Sequence, residues 1–102
     1  MRIAVASLGE SEDSEISNVA GRAPFYLVFE EGKLVDTLKN LFRFGGGGSG
    51  TSIAKMLSDN KIDKVIAGKF GPNVEAFFKE KNIQIIEKKG KVKDVLQWII
   101  SK

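Results

Sequence analysis

The residues whose spacing most directly suggests chemistry are 45-GGGGSGTS-52. Gly45 and Gly50 stand at the separation of the two glycines in a nucleotide-binding G-x-x-x-x-G-K-[ST] loop, and Ser52 falls where that loop's magnesium-binding hydroxyl sits. Thr51 holds the lysine position, so the side chain that would reach the phosphates is missing. The preceding LFRF is not a clean strand leading into the loop, and no apolar run ending in Asp supplies a second magnesium ligand. Nucleotide hydrolysis is therefore set aside. Two readings stay open. One is a Gly/Ser connector. The other is an anion cradle made by Gly45, Gly46, Gly47, Gly48, Ser49 and Gly50, in which backbone amides approach a ligand closely beside a helix N-terminus. Passive connectors within one small domain are usually shorter, which favours the cradle.

Three further stretches bear on binding. Gly68 and Gly71, in 68-GKFGPN-73, follow a short apolar run and precede a proline suited to a first helical turn; the two glycines fit either a tight turn or backbone contact with a ligand, to which Asn73 would add an amide. Arg22, after Gly21, is placed to clamp an anion bidentately or to form a surface ion pair. The acidic run 10-ESEDSE-15 lacks the spacing of a calcium loop and reads as a solvated charge run.

The chain has 102 residues, with neither cysteine nor histidine. That excludes disulfides, thiolate nucleophiles, Cys/His zinc sites and imidazole bases. A side-chain metal site would have to use oxygen ligands and hard ions. A Ser or Thr nucleophile would lack a histidine partner. The composition is 42% hydrophobic and 28% charged, enough for one core. A net charge of +3 falls short of a dedicated nucleic-acid surface. No apolar run approaches the roughly 20 residues of a membrane helix. The opening MRIAVASLG lacks the long apolar core of a signal peptide, so a cytoplasmic location is expected. Many Lys and Glu with few Met and no Cys suit a thermophile.

The elements that must position these groups read as β-β-β-α-β-α-β-α in one domain spanning 1–102. Arg2 to Ser7 (RIAVAS) is a buried strand. Phe25 to Glu30 and Lys33 to Asn40 form a hairpin around Glu31-Gly32. A helix runs from Ser49 or Thr51 to about Asn60, with Ile53, Ala54, Met56 and Leu57 facing inward. Lys64 to Ala67 is a strand, Pro72 to Lys81 a helix with Val74, Phe77 and Phe78 inward, Ile83 to Ile86 a strand. Val92, Val95, Leu96, Ile99 and Ile100 have helical spacing, and Trp98 is expected in the core. The order implies an α/β fold with a five-stranded mixed sheet, strand order 3-2-1-4-5, strand two antiparallel, and three helices. Leu8–Asn18, Leu41–Gly50 and Gly68–Gly71 would then gather beyond the C-terminal ends of strands one, three and four, where open α/β sheets bind ligands.

Taken together, RIAVAS, 13-DSEISNVAGRAPFYLVF-29, the EEGK hairpin, GGGGSGTSIAKML and 65-VIAGKFGPNV-74 resemble the dinitrogenase iron-molybdenum cofactor biosynthesis family, which contains NifX, NifY and the C-terminal domain of NifB. The second stretch is similar to the signature D-S-x-[IV]-S-x-H-F-G-R-A-x-x-F, and the last to V-I-x-G-x-x-G-x-N-A. Val19 and Ala20 stand where the family often has His and Phe. The resemblance implies a ribonuclease H-like three-layer fold and a non-enzymatic accessory or carrier protein. Its cargo would be an iron-molybdenum or iron-sulfur cluster precursor, and its partners cluster-assembly proteins. On this reading Ser7, Gly9, Gly21, Arg22, Gly45–Gly50, Gly68, Gly71 and Asn73 line one site for a small anionic ligand, held by backbone amides and Arg22. The competing readings are a metal-dependent nuclease or phosphatase on the same fold, for which IAVAS lacks the needed carboxylate, and an interaction module using an edge strand.

Overall fold

RIAVAS forms β1 (Arg2–Ser7), the middle strand of a five-stranded sheet. The computed structural model describes residues 1–42 and 49–100, with Ser49 and Gly50 as backbone only. A strand apolar along its whole length needs cover on both faces, and Ile3 to Ser7 are all buried. β2 (Phe25–Glu30) pairs antiparallel with β1, from Arg2 opposite Glu30 to Ser7 opposite Phe25. β3 (Lys33–Lys39) returns through Glu31 and Gly32, at φ of 51° and 80°. Positive φ at both positions is what a two-residue hairpin turn requires.

α1 (Ser49–Asp59), β4 (Lys64–Ala67), α2 (Pro72–Glu80), β5 (Gln84–Glu87) and α3 (Val92–Ile100) complete the order. β4 runs parallel to β1, and β5 parallel to β4. The strand order is β3-β2-β1-β4-β5, the one that the connections demand. Alternation along β2 sorts the core into two layers. Tyr26 and Val28 pack with Ile53, Ala54 and Leu57 of α1 and Phe78 of α2. Leu27 and Phe29 pack with Val92, Val95 and Leu96 of α3. Phe70 meets Phe78 edge to face, with ring centroids 5.7 Å apart.

The structure departs from the sequence expectations at element ends. Ile83 is buried but precedes β5, because its N–H donates to the Phe78 carbonyl (2.9 Å) and so closes the exit of α2. Asn40 leaves β3 and is buried. β3 contains an irregularity: Val28 lies opposite Asp36 and Phe29 opposite Leu34, which makes Val35 an extra residue. A bulge of this kind twists an edge strand away from chance pairing. Trp98 is 38% exposed rather than in the core, with the Lys88 ammonium 4.3 Å from its ring centroid; a cation over an indole face lets the ring stay at the surface. Among the described residues no helix is long and apolar enough to cross a membrane.

Candidate functional site

Ser7, at the end of β1, lies opposite Phe25, which lies opposite Lys39 at the end of β3. β4 runs beside β1 in the same direction and ends at Ala67. The ends of β1, β3 and β4 thus share one edge of the sheet. A 3-10 turn, Ala20–Arg22, is tied to this edge by main-chain bonds. Ser17 N–H donates to Ala6 O (2.8 Å), Gly68 N–H to Ser17 O (2.9 Å), and Ala20 N–H to Lys69 O (3.0 Å). The turn and the β4–α2 connection are therefore neighbours, and α1 packs against both the turn and α2.

The expected site residues divide by what the fold already asks of them. A Cβ on Gly68 would lie 2.8 Å from Asn18 Cα and 2.9 Å from its carbonyl oxygen, so close packing of two chain segments requires glycine there. The Ser7 hydroxyl is fully buried, donates to Gly9 O (2.6 Å) and accepts from Gly9 N–H (3.2 Å). The space beside Gly9 is filled by Ser14 Oγ, 2.5 Å from where a Cβ would sit. These three residues shape the edge from within.

Gly21 and Gly71 are different. Among the described residues no atom beyond the chain neighbours lies within 4 Å of a Cβ built on either, and neither has a positive φ. Nothing in the described fold calls for glycine at these two positions. Among the described residues the Gly21 N–H donates to no acceptor. α2 begins at Gly71 without a side-chain cap, and Pro72 has no N–H to offer. Glu75 N–H returns to Gly71 O (2.9 Å), which leaves the Asn73 and Val74 amides without an acceptor among the described residues, as first-turn donors are. Arg22 and Lys69 are exposed, and among the described residues neither forms an ion pair. The structure thus brings Gly21, Arg22, Gly71 and Asn73 to one edge, where among the described residues the Gly21 and Asn73 N–H groups meet no acceptor and the Arg22 guanidinium no acidic partner. Ser49 and Gly50 open α1. Gly45, Gly46, Gly47 and Gly48 lie outside the described residues.

Two buried side chains that the sequence reading missed sit beneath the turn. The Tyr26 hydroxyl donates to Ala20 O, and burial holds its pKa well above the ordinary phenol value. The Asn40 amide donates to Ala23 O (2.8 Å) and Gly21 O (3.3 Å), while its oxygen accepts from Phe42 N–H (3.0 Å). A tyrosine at an inward strand position must find its hydroxyl a partner, and that was the available signal.

The acidic loop after β1 turns toward α3. Val92 N–H donates to Ser14 O and Lys93 N–H to Glu12 O, each at 3.0 Å, and Asp13 meets Lys93 at 2.7 Å. The loop therefore caps α3 rather than gathering a cation. Among the described residues no group of three or more acidic side chains could hold a metal. A groove of about 390 Å³ runs between Leu41-Phe42 and α1, but it touches none of the four open site residues, and its Lys55 is paired with Asp59 at 2.9 Å.

Comparison with known proteins adds the following. The family model described as dinitrogenase iron-molybdenum cofactor matches residues 1–102. The orange protein of Desulfovibrio gigas, solved in its apo form, superposes with a TM-score of 0.91 at 21% identity, covering 98% of this chain and 87% of that one. A putative NifB protein from Thermotoga superposes with a TM-score of 0.84 at 20% identity, covering 98% and 87%. At these identities the likeness speaks to fold alone. A comparison with curated proteins gives no match.

Proposed function

The chain belongs to the dinitrogenase iron-molybdenum cofactor family, a family of accessory carriers rather than enzymes, and from that premise we propose that it carries an anionic metal cluster precursor. The cargo is of iron-molybdenum or iron-sulfur type, or a related oxyanion such as molybdate. The observation that carries this reading is the pair of glycines, Gly21 and Gly71, that the fold itself does not need. They flank amides that meet no acceptor, and the guanidinium of Arg22 that meets no acidic partner, among the described residues. Backbone N–H groups, a helix N-terminus and a planar cation are the groups that hold anions.

The donor set favours one mode of holding. With no His or Cys in the chain, the protein has no thiolate or imidazole to ligate a cluster, and among the described residues no group of three or more acidic side chains could take their place. The cargo is gripped through its outer anionic atoms by hydrogen bonds and charge. Gly45–Gly48, by their place in the sequence between β3 and α1, and Ser49 and Gly50, the first residues of α1, remain part of this proposal, and Ser7, Gly9 and Gly68 support it from beneath. The same reading takes the layered sheet as ribonuclease H-like, the chain as one domain in the cytoplasm, and its partners as cluster-assembly proteins.

The test is an amide chemical-shift titration of the full chain with molybdate and with phosphate. Shifts are expected at Gly21, Arg22, Gly71 and Asn73. Arg22→Ala should weaken binding by about 10- to 100-fold, the worth of a charged hydrogen bond. Shifts that avoid these residues would overturn the reading. Metal analysis of protein isolated from its native host would then identify the cargo.

A further inference from the structure

Among the described residues no peptide bond is cis, and in a trans unit a carbonyl and the N–H that follows it point in opposite directions. A buried group that fixes one therefore aims the other. Ala20 O is held from the core side by the Tyr26 hydroxyl, and it also accepts from Ala23 N–H (3.4 Å). The next group along, Gly21 N–H, is thereby turned away from the Tyr26 side, and among the described residues it meets no acceptor. Gly21 O and Ala23 O are held by Asn40, whose remaining acceptor is taken by Phe42 N–H. Asn40 N–H itself donates to Pro24 O (3.0 Å). Both side chains are buried, Tyr26 at 0% and Asn40 at 3% relative exposure. We infer that Tyr26 and Asn40 are positioning residues that aim the Gly21 amide and seat Arg22 for the anion, in addition to satisfying their own polar groups.

This inference rests on the anion-site reading above. It predicts more than that reading does: a change at two residues that never touch the ligand should alter binding. Tyr26→Phe keeps the ring and its packing and removes only the hydroxyl. Molybdate titrations of the labelled full chain should show the variant folded, with resonances away from the turn unmoved. Its affinity for molybdate should fall roughly fivefold, the factor one neutral hydrogen bond is worth. The molybdate-induced shift of the Gly21 amide should shrink while that of Asn73 persists at saturation, a selective loss that a general loosening of the fold would not produce. Asn40→Ser, which keeps a hydroxyl but cannot span two carbonyls, should give the same pattern and decides the matter if Tyr26→Phe does not fold. If the wild type responds and the folded variant responds equally, the positioning role is wrong and the anion site stands. If the wild type shows no response at Gly21, Gly71 or Asn73, the anion site itself is wrong.

Discussion

At Gly68 a methyl group would sit 2.8 Å from Asn18 Cα, whereas at Gly21 it would meet nothing within 4 Å among the described residues. Alanine at the two positions should therefore have opposite consequences. Gly68→Ala forces apart two backbone segments and should cost about 1–3 kcal/mol, as overpacking does. Gly21→Ala sits in a 3-10 turn without positive φ. It should stabilise the fold by about 0.4–1 kcal/mol through the unfolded chain, while weakening molybdate binding by crowding the open side of the turn. Urea denaturation of the two variants checks the first difference; equal stabilities would refute the division between them. The sequence showed G-x-x-G as one feature because the residue that constrains Gly68 comes from a distant segment. Asn18 and Gly68 meet only once β1 and β4 lie side by side.

The connection after β1 shows what an element gains from its neighbours. Its acidic composition reads as a solvated run, yet two of its carbonyls cap α3, and Asp13 pairs with Lys93. The Lys93 hydrogen bond and charge hold the Asp13 carboxyl below its ordinary value of 3.8, and Asp13 in turn raises Lys93 above 10.5. The Asp13 contribution is present above its unfolded value and is lost as pH falls through the lowered folded one. That of Lys93 is present below 10.5 and is lost as pH rises through the raised one. The pair thus holds across the whole interval between. Both side chains are exposed, so solvent screens the interaction and it steers the loop more than it stabilises the fold. In Lys93→Ala the Asp13 titration, followed by carboxyl NMR, should return to near 3.8; an unchanged midpoint would contradict the pairing. The 3-10 turn was illegible for a simpler reason. Three residues carry no periodicity, and Ala20–Arg22 is held by Tyr26 and Asn40 from other elements.

Across the molecule, what the sequence disclosed is what depends on local pattern and chain connectivity. RIAVAS, FYLVFE and KVIA carry enough apolar and β-branched character to mark β1, β2 and β4 to the residue, and the short connections leave few strand orders open. What stayed hidden depends on the partner face, as with Trp98, which the helical spacing of α3 assigns inward and the Lys88 ammonium keeps at the surface. The strand order also has a temporal side. β1, β2 and β3 are consecutive and pair with one another, whereas β1 meets its other neighbour, β4, only after α1 has been made. Contacts that close short loops form first. Pulse-labelled hydrogen exchange during refolding should find the amides shared by β1, β2 and β3 protected before those of β4 and β5, and simultaneous protection would argue against this order. On a ribosome, where the N-terminal half emerges first, the meander can assemble while Gly68 and Gly71 have yet to emerge. The floor beneath the Gly21 turn, Tyr26 and Asn40 included, can then be laid before the segment that completes the edge is free to join it.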